Sequence, residues 1–250
     1  MTRLLVTRPA GQAQELVSLL AGFGIEAVSV PTVSIAEAPG SDLDRALENL
    51  HDAAWLVITS ANGARAVLRR LAARDVAVRP TVRVAAVGPE TAAALTSGGI
   101  RVDHVPDQFL TSAIAAGLGE VNGRLIVLAR SDAATPDLAE ILRSRGAQVE
   151  EIVAYRTLEG PAESRKALHA AFSERLDGIT FTSGSTVRGL LELASDEDAD
   201  SARALPAYCI GPVTADVARS EGFSVPVVAP DHTAAALAAA VHDYIAKGIA

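Results

Sequence analysis

The chain of 250 residues has one cysteine, few aromatic residues and no excess of positive charge. Because Cys209 is alone, the chain cannot form an internal disulfide or a thiolate metal cluster, and an intracellular setting is the simplest one for it. Lysine and arginine number 22 against 30 aspartates and glutamates, a formal net charge of −8. This balance argues against nucleic acid as a partner, because nucleic-acid binding relies on positive charge.

Long apolar runs are also missing. The first apolar stretch, Leu4 to Val6, is interrupted by Thr7 and Arg8, so it is too short for the core of a signal peptide. The alanine-rich residues 234–241 do not approach the roughly 18 residues of a membrane span. Since 49% of the residues are hydrophobic and 21% are charged, the composition is that of a folded globular protein. We therefore expect a cytoplasmic protein that contacts no membrane.

The chain contains an internal repeat. Residues 3–31 and 124–155 share one plan, in which an apolar run, a polar loop, an amphipathic stretch, a glycine and a second apolar run follow one another. A second pair joins the segments WLVITSANG and AAVGPETA to ITFTSGS and YCIGPVTA. The landmarks are a constant 122 or 123 positions apart: Gly24 and Gly146, Thr59 and Thr182, and Gly88 and Gly211.

The pattern within each repeat predicts the α/β class. Apolar runs without a polar face, at residues 4–6, 55–58, 82–87, 125–128 and 179–181, alternate with stretches of helical apolar spacing. Continuous apolar strands separated by helices indicate a parallel sheet covered on both faces. Four glycines that follow helical patterns predict helix ends: Gly24, Gly99, Gly146 and Gly222. We expect two similar doubly wound parallel-sheet domains.

The repeat alone leaves open whether the two halves stay separate or exchange their first modules. The best linker candidates are polar joints with proline or glycine at residues 37–41 and 159–163. Their positions favour exchange, with a discontinuous domain from residues 1–36 and 160–250 and an inserted domain from residues 37–159. Two linker segments, near residues 37–41 and 156–163, would then join the domains.

Metal and cofactor motifs are absent. The acidic residues 196–200 are interpreted as a solvated loop, because no framing ligand pattern accompanies them. The five histidines are scattered without metal-ligand spacing, and we assign them surface or capping roles. Neither a dinucleotide fingerprint, nor a phosphate-binding loop, nor a nucleophile elbow occurs. We therefore expect no metal and no organic cofactor.

Small and polar residues directly follow the predicted strands, where ligands bind in a doubly wound sheet. The candidate substrate-binding residues at these positions are Arg8, Thr59, Ser60, Asn62, Gly88, Thr91, Arg130, Ser131, Ser183, Ser185, Gly211 and Thr214. Both Gly-Pro-x-Thr segments predict a helix start whose unpaired N–H groups can hold an anion. The alternative, that Thr59, Ser60, Thr182 and Ser183 merely cap the following helices, stays open.

Tyr155 stands at the end of an apolar strand, in IVAYRT, next to a candidate linker. A phenol near an interdomain cleft could donate a proton. The alternative is a tyrosine that packs at a domain joint. Tyr208, Tyr244, Cys209 and Trp55 lie in helical or apolar patterns and are interpreted as structural.

The ordered set of motifs resembles the uroporphyrinogen-III synthase family of tetrapyrrole and heme biosynthesis. The resemblance runs over essentially the whole chain. It rests on TRP at 7–9, TSANG at 59–63, AVGPETA at 86–92, AYRT at 154–157, FTSGS at 181–185 and IGPVTA at 210–215.

The resemblance implies a lyase that cyclises the linear tetrapyrrole hydroxymethylbilane. Water is lost and the last pyrrole ring is inverted, through an azafulvene and a spiro intermediate, to give uroporphyrinogen III without metal or cofactor. It implies two α/β domains joined by a two-stranded linker, one domain being discontinuous. Tyr155 would assist the departure of hydroxide, and Thr214 would touch the substrate. Thr59, Ser60, Thr91, Ser183 and Ser185 would line the cleft.

The implied substrate is an octacarboxylate, whereas the chain carries a net charge of −8. Long-range attraction therefore cannot supply the binding, but helix N-termini and the local arginines Arg8, Arg65 and Arg130 can. We expect a monomer. The alternative function is a non-catalytic, hinge-closing binding or regulatory module for a small anionic ligand, which turnover would distinguish from an enzyme.

Overall fold

The computed structural model describes residues 1–38, 40–107 and 111–248. Pro39, in the first candidate linker, lies outside the described residues. The strands are β1 (Arg3–Val6), β2 (Glu26–Ser29), β3 (Val33–Glu37), β4 (Trp55–Ile58), β5 (Arg83–Ala86), β6 (Leu125–Ser131), β7 (Gln148–Glu159), β8 (Gly178–Phe181), β9 (Ala207–Cys209) and β10 (Val227–Val228).

The α-helices alternate with these strands along the chain. They are α1 (Ala10–Gly22), α2 (Gly40–Glu48), α3 (Ala61–Arg74), α4 (Pro89–Ser97), α5 (Thr111–Gly117), α6 (Asp137–Ser144), α7 (Arg165–Phe172), α8 (Gly184–Leu193), α9 (Asp196–Arg203), α10 (Pro212–Ser220) and α11 (Ala234–Ala246). Short 3₁₀ turns span Leu50–Asp52 and Ala162–Ser164.

The strands form two five-stranded sheets, with the orders β10-β9-β8-β1-β2 and β3-β7-β6-β4-β5. The pairs β1–β2, β1–β8, β8–β9, β9–β10, β4–β5, β4–β6 and β6–β7 are all parallel. The five apolar runs predicted as strands correspond to β1, β4, β5, β6 and β8. The prediction of an α/β chain with parallel sheets is confirmed.

By its internal contacts, the chain divides into two compact units. The unit formed by Met1–Ser34 and Leu158–Ala250 contains the first sheet, and we call it the terminal unit. The unit formed by Ile35–Thr157 contains most of the second sheet, and we call it the central unit. The chain passes from one unit to the other within β3 and again within β7.

Both faces of each sheet are covered, which explains why the strands lack a polar face. In the terminal unit, Leu5 and Phe181 belong to a buried cluster on one face. Leu4 and Val6, which flank Leu5 in β1, belong to a different cluster with residues of α1 and α11. Alternate side chains of one strand thus enter two cores, which favours apolar residues on both faces of the strand.

Glycines end several helices as the sequence predicts. Gly24 follows α1 with φ of 73°, and Gly146 follows α6 with φ of 82°. This left-handed backbone is strained for residues with a Cβ atom, so glycine terminates the helix at low cost. In the described residues, no helix is long and apolar enough to cross a membrane.

The interpretation of residues 196–200 as a loop is wrong, because these acidic residues form the first turns of α9. Ser195 caps the helix by accepting a hydrogen bond from the Asp198 backbone N–H at 3.2 Å. Acidic side chains in a first turn also interact favourably with the positive end of the helix. The acidic run therefore starts a helix. The sequence did not indicate this helix, because the run has too few apolar residues to show helical spacing.

Tyr208 offers a test of the core of the terminal unit. Its ring is fully buried, and its hydroxyl is buried without a hydrogen-bond partner in the described residues. Tyr208→Phe should raise the free energy of unfolding by about 1 kcal/mol, because a buried unpaired hydroxyl is costly. Urea denaturation measures the change. Tyr208→Leu, which also loses the edge contact with the Tyr244 ring, should instead lower stability by about 1–3 kcal/mol. A Tyr208→Phe variant less stable than the wild type would show that the Tyr208 hydroxyl does have a stabilising partner.

Candidate functional site

In the central unit, the candidate tyrosine and one serine form a direct contact. Ser60 follows β4 and is the N-cap of α3, where its Oγ accepts the backbone N–H of Gly63 at 3.0 Å. The same hydroxyl donates to the phenol oxygen of Tyr155 on β7 at 3.0 Å. Thr59 and Asn62, which lie on either side of Ser60 in sequence, are half-buried. The capping role of Ser60 and its role in the site are therefore compatible.

Tyr155 is only 7% exposed and belongs to the same buried cluster as Ile58 and Ala154. Its phenol oxygen receives the Ser60 hydrogen, while its own hydrogen has no acceptor in the described residues. The packing interpretation therefore holds, and the proton-donor interpretation is compatible with it but stays a prediction. The ring is fixed by the core, and its hydroxyl hydrogen is available to a ligand.

Ser131 and Asp132 hold the chain just beyond Tyr155. The Asp132 carboxylate accepts the backbone N–H of Thr157 at 3.1 Å, and the Asp132 N–H donates to the Tyr155 carbonyl at 3.2 Å. The hydroxyls of Ser131 and Thr157 lie 3.3 Å apart. These contacts position the AYRT segment. Sequence reasoning missed the role of Asp132, because its contact with Thr157 joins residues 25 positions apart.

Arg130 is buried and engaged by its own unit. Its guanidinium forms an ion pair with Glu151 at 3.2 Å and donates to the carbonyls of Ala134, at 3.0 Å, and Thr135. These partners engage both terminal nitrogens of the guanidinium. The structure thus gives Arg130 a role in holding the loop after β6.

The second candidate helix start in the central unit follows β5. Gly88 is the N-cap of α4 and Pro89 occupies the first helical turn. Thr91 is buried, whereas Glu90 is exposed and is the acidic residue of that first turn. An acidic side chain there neutralises the positive end of the helix.

In the terminal unit, Ser183 and Ser185 mark the start of α8. Ser183 is the N-cap and forms a reciprocal capping box with Thr186. The hydroxyls of Ser183 and Ser185 lie 2.9 Å apart. Both serines are half-buried, so these hydroxyls remain accessible at the carboxyl end of β8.

Arg8 follows β1 and is the least satisfied charged group among the predicted site residues. Its side chain is buried, and its Nε has no hydrogen-bond partner in the described residues. Its Nη1 lies 3.5 Å from Glu15, an exposed residue of α1, which is a long and weak contact. A buried guanidinium with one weak partner is suited to bind an anion.

The start of α10 follows β9. Gly211 is the N-cap, Pro212 occupies the first turn, and Thr214 is 6% exposed. His232 covers this N-cap: a Cβ atom added to Gly211 would lie 2.7 Å from the imidazole Nε2. His232 is exposed, and sequence reasoning had assigned it only a surface or capping role. Nothing in its spacing indicated the contact with Gly211.

The predicted site residues therefore form groups at strand ends within each unit. Ser60 and Tyr155 are in contact in the central unit, as are Ser183 and Ser185 in the terminal unit. The thiol of Cys209 is buried, and desolvation raises its pKa to about 11, so it is not a nucleophile near neutral pH. No three histidine, cysteine, aspartate or glutamate side chains of the described residues lie close enough together to hold a metal ion.

The fold and these groups define a class: an α/β protein whose helix starts, hydroxyls and buried arginine suit a small anionic ligand. Residues 14–239 match the family model described as uroporphyrinogen-III synthase HemD. The chain belongs to the uroporphyrinogen-III synthase family.

Two known proteins illustrate the similarity in sequence. The uroporphyrinogen-III synthase of Synechococcus elongatus is 31% identical over 250 residues, 96% of this chain and 94% of that protein. The porphyrin biosynthesis protein HemD of Ruminiclostridium josui is also 31% identical, over 87% of this chain. The chain spans only 44% of the length of that protein.

Solved structures of low sequence identity share the fold. A mutant uroporphyrinogen III synthase from Thermus thermophilus has a TM-score of 0.70 at 19% identity, over 99% of this chain and 100% of that one. The Helicobacter pylori uroporphyrinogen-III synthetase has a TM-score of 0.63 at 16% identity, over 100% of both chains.

Arg130→Met tests the structural role of Arg130. The variant keeps an apolar stem but leaves Glu151 and two carbonyls without a buried donor, so the free energy of unfolding should fall by about 2 kcal/mol. Arg143→Met is the matched control, because Arg143 pairs with the same carboxylate at 2.8 Å from an exposed position. It should lower stability by less than about 1 kcal/mol. Equal losses in the two variants, measured by urea denaturation, would contradict this role.

Proposed function

We propose that this protein cyclises hydroxymethylbilane to uroporphyrinogen III, with loss of water and inversion of the last pyrrole ring. The family match over residues 14–239 carries this proposal. A second support is local. The tyrosine of the AYRT segment presents a hydroxyl whose hydrogen has no acceptor in the described residues. The reaction needs such a donor, because a hydroxyl group must leave the substrate as water.

Tyr155 donates its proton to the departing hydroxyl. The C–O bond of the hydroxymethyl group breaks as the pyrrole nitrogen supplies its electron pair, so water leaves and an N-protonated azafulvene cation remains, whose charge balances that of the phenolate. The Ser60 hydroxyl, which already donates to the phenol oxygen at 3.0 Å, stabilises the negative charge left there. The substrate itself supplies the electrons, and no protein nucleophile is required.

Substrate binding relies on short-range donors, because the net charge of −8 opposes an octacarboxylate at long range. Arg8, Ser183, Ser185 and Thr214 are the proposed binding residues of the terminal unit, with the backbone N–H groups that begin α8 and α10. Thr59, Ser60 and Asn62 are those of the central unit. Holding the linear substrate so that the correct ring closes is the main catalytic task.

The two compact units are proposed to be the two α/β domains, and the terminal unit is then the discontinuous one. Each contains its own sheet and its own buried clusters, which supports this proposal. A cytoplasmic location and a monomeric state stay predictions of the sequence.

A coupled assay tests the proposed reaction. The purified protein is added to freshly generated hydroxymethylbilane, and the oxidised uroporphyrin isomers are separated by chromatography. Isomer III in excess over the spontaneously formed isomer I is the expected result. Isomer I alone, from protein shown to be folded by circular dichroism, would favour the non-catalytic binding module.

Tyr155→Phe tests the proton donor. The variant removes the phenol hydroxyl and keeps the buried ring, so kcat should fall by roughly 10²- to 10⁴-fold with little change in KM. Tyr208→Phe is the matched control, because it removes a phenol hydroxyl from a core position without a role in the site, and its kcat should stay within about two-fold of the wild type. An unchanged kcat in Tyr155→Phe would show that the tyrosine only packs. A loss beyond about four orders of magnitude would show that catalysis depends on far more than positioning.

A further inference from the structure

Tyr155 lies at an irregularity in the pairing of β6 with β7. Arg130 pairs with Val153, but Ser131, the next residue of β6, pairs with Tyr155. β7 therefore has one extra residue, Ala154, at this point. Such a bulge is rare between parallel strands, and it redirects the side chains that follow it.

The bulge decides on which face of the sheet the tyrosine lies. Successive side chains of a strand point to opposite faces, yet Ala154 and Tyr155 both belong to the buried cluster that includes residues of α3. In a regular strand Tyr155 would lie on the face of Val149 and Val153. Val149 packs against the other cluster, with residues of α5 and α6. The bulge therefore brings the phenol ring to the face where α3 begins at Ser60.

Asp132 holds β7 just beyond the bulge. β6 ends at Ser131, whereas β7 continues to Glu159, so the backbone groups of β7 beyond Tyr155 have no strand partner in β6. The Asp132 carboxylate accepts the N–H of Thr157 at 3.1 Å in place of a strand carbonyl. The Asp132 N–H donates to the Tyr155 carbonyl at 3.2 Å. One residue thus holds the backbone of β7 at the tyrosine and two positions beyond it.

The other repeat lacks this arrangement. Pro9 and Ala10 occupy the positions that match Ser131 and Asp132. Proline has no backbone N–H, and neither residue has a side-chain acceptor. The first tyrosine of the chain is Tyr155, so the matching strand of the terminal unit has none. A parallel sheet of this kind therefore forms without the carboxylate, and the carboxylate accompanies the tyrosine.

We propose that Asp132 is a positioning residue for the reaction, because it holds the bulge of β7 that places the Tyr155 phenol beside Ser60. The Ser60 hydroxyl donates to the phenol oxygen at 3.0 Å, and this contact requires the ring to lie on the α3 face. The two contacts of Asp132 with β7 are made to backbone groups, so it acts through the tyrosine and not on the substrate. This assignment rests on the proposed function, since it takes Tyr155 as the proton donor.

Asp132→Ala removes the acceptor of the Thr157 N–H. It should lower kcat by about 10- to 100-fold, because a displacement of about 1 Å at a catalytic group can cost about 10²-fold. KM should stay within about two-fold, since no proposed binding contact is lost. Asp132→Asn should have a kcat within about three-fold of the wild type, because a carboxamide oxygen also accepts an N–H.

Steady-state kinetics of isomer III formation measures both constants. Equal losses of kcat in Asp132→Ala and Asp132→Asn would show that the carboxylate itself transfers a proton or binds substrate, and they would overturn the positioning role. Because Asp132 is exposed, the thermal midpoint of both variants should stay within a few degrees of the wild type.

Asp103→Ala is the matched control in the same unit. The Asp103 carboxylate is also exposed and also accepts a strand N–H, that of Val84 in β5, at 2.9 Å. Asp103→Ala should leave kcat within about two-fold of the wild type, because β5 does not contain the tyrosine. A loss as large as that of Asp132→Ala would show that any such hydrogen bond matters equally, and it would overturn the assignment.

A double variant tests whether Asp132 acts through the phenol. In the Tyr155→Phe background, Asp132→Ala should lower kcat by less than about two-fold, because the group that it positions is already absent. A further loss of about 10-fold or more in this background would show that Asp132 acts independently of the Tyr155 hydroxyl, and it would overturn the proposal.

Amide hydrogen exchange at Thr157, followed by NMR, examines the bulge without turnover. Exchange should be about 10-fold faster in Asp132→Ala than in the wild type, and within about three-fold of it in Asp132→Asn. Equal exchange in Asp132→Ala and the wild type would overturn the assignment, as would an unchanged kcat in Asp132→Ala while the wild type forms isomer III. A folded wild type that forms no isomer III would instead overturn the proposed function itself.

Discussion

Burial of both faces of every sheet is the constraint on which the rest of the structure depends. A parallel strand that enters two cores has no room for an unpaired polar side chain. The fully buried β4 is apolar throughout, and in the fully buried β8 the hydroxyl of Thr180 donates to the Leu5 carbonyl at 3.2 Å. Side chains with polar groups free for a ligand therefore lie at the strand ends, and the unpaired N–H groups of the following helices lie at the same edge. The predicted site residues lie there because the fold leaves them no other place.

This constraint also decides what the sequence could predict. Continuous apolar runs and helix-ending glycines were sufficient to predict β1, β4, β5, β6 and β8 and the parallel sheets, because both signals are local. The Ser60 to Tyr155 hydrogen bond and the contact between His232 and Gly211 join residues that are distant in the chain. A single sequence does not indicate which strand ends lie side by side. The partners Ser60 and Tyr155, and His232 and Gly211, could therefore be identified only from the structure. The acidic start of α9 was missed because its charges resembled a loop.

The repeat in the sequence suggested symmetry, but the partners of equivalent residues differ. Arg130 is enclosed by acceptors of its own unit, and Arg8 is not. The difference arises from Glu151 and from the loop after β6, neither of which is part of the motif that contains the arginine. Equivalent motifs therefore do not imply equivalent chemistry, and the surroundings of each residue decide its role.

Ser60 performs two tasks with one hydroxyl, since the oxygen accepts from Gly63 to begin α3 and the hydrogen is donated to Tyr155. Aspartate, which caps helices as well as serine does, has no hydrogen to give at neutral pH. Alanine would lose both contacts. In the proposed reaction, thermal stability and turnover would thus both depend on one hydroxyl group, so a replacement chosen for a stronger helix start alone would come at the expense of the reaction.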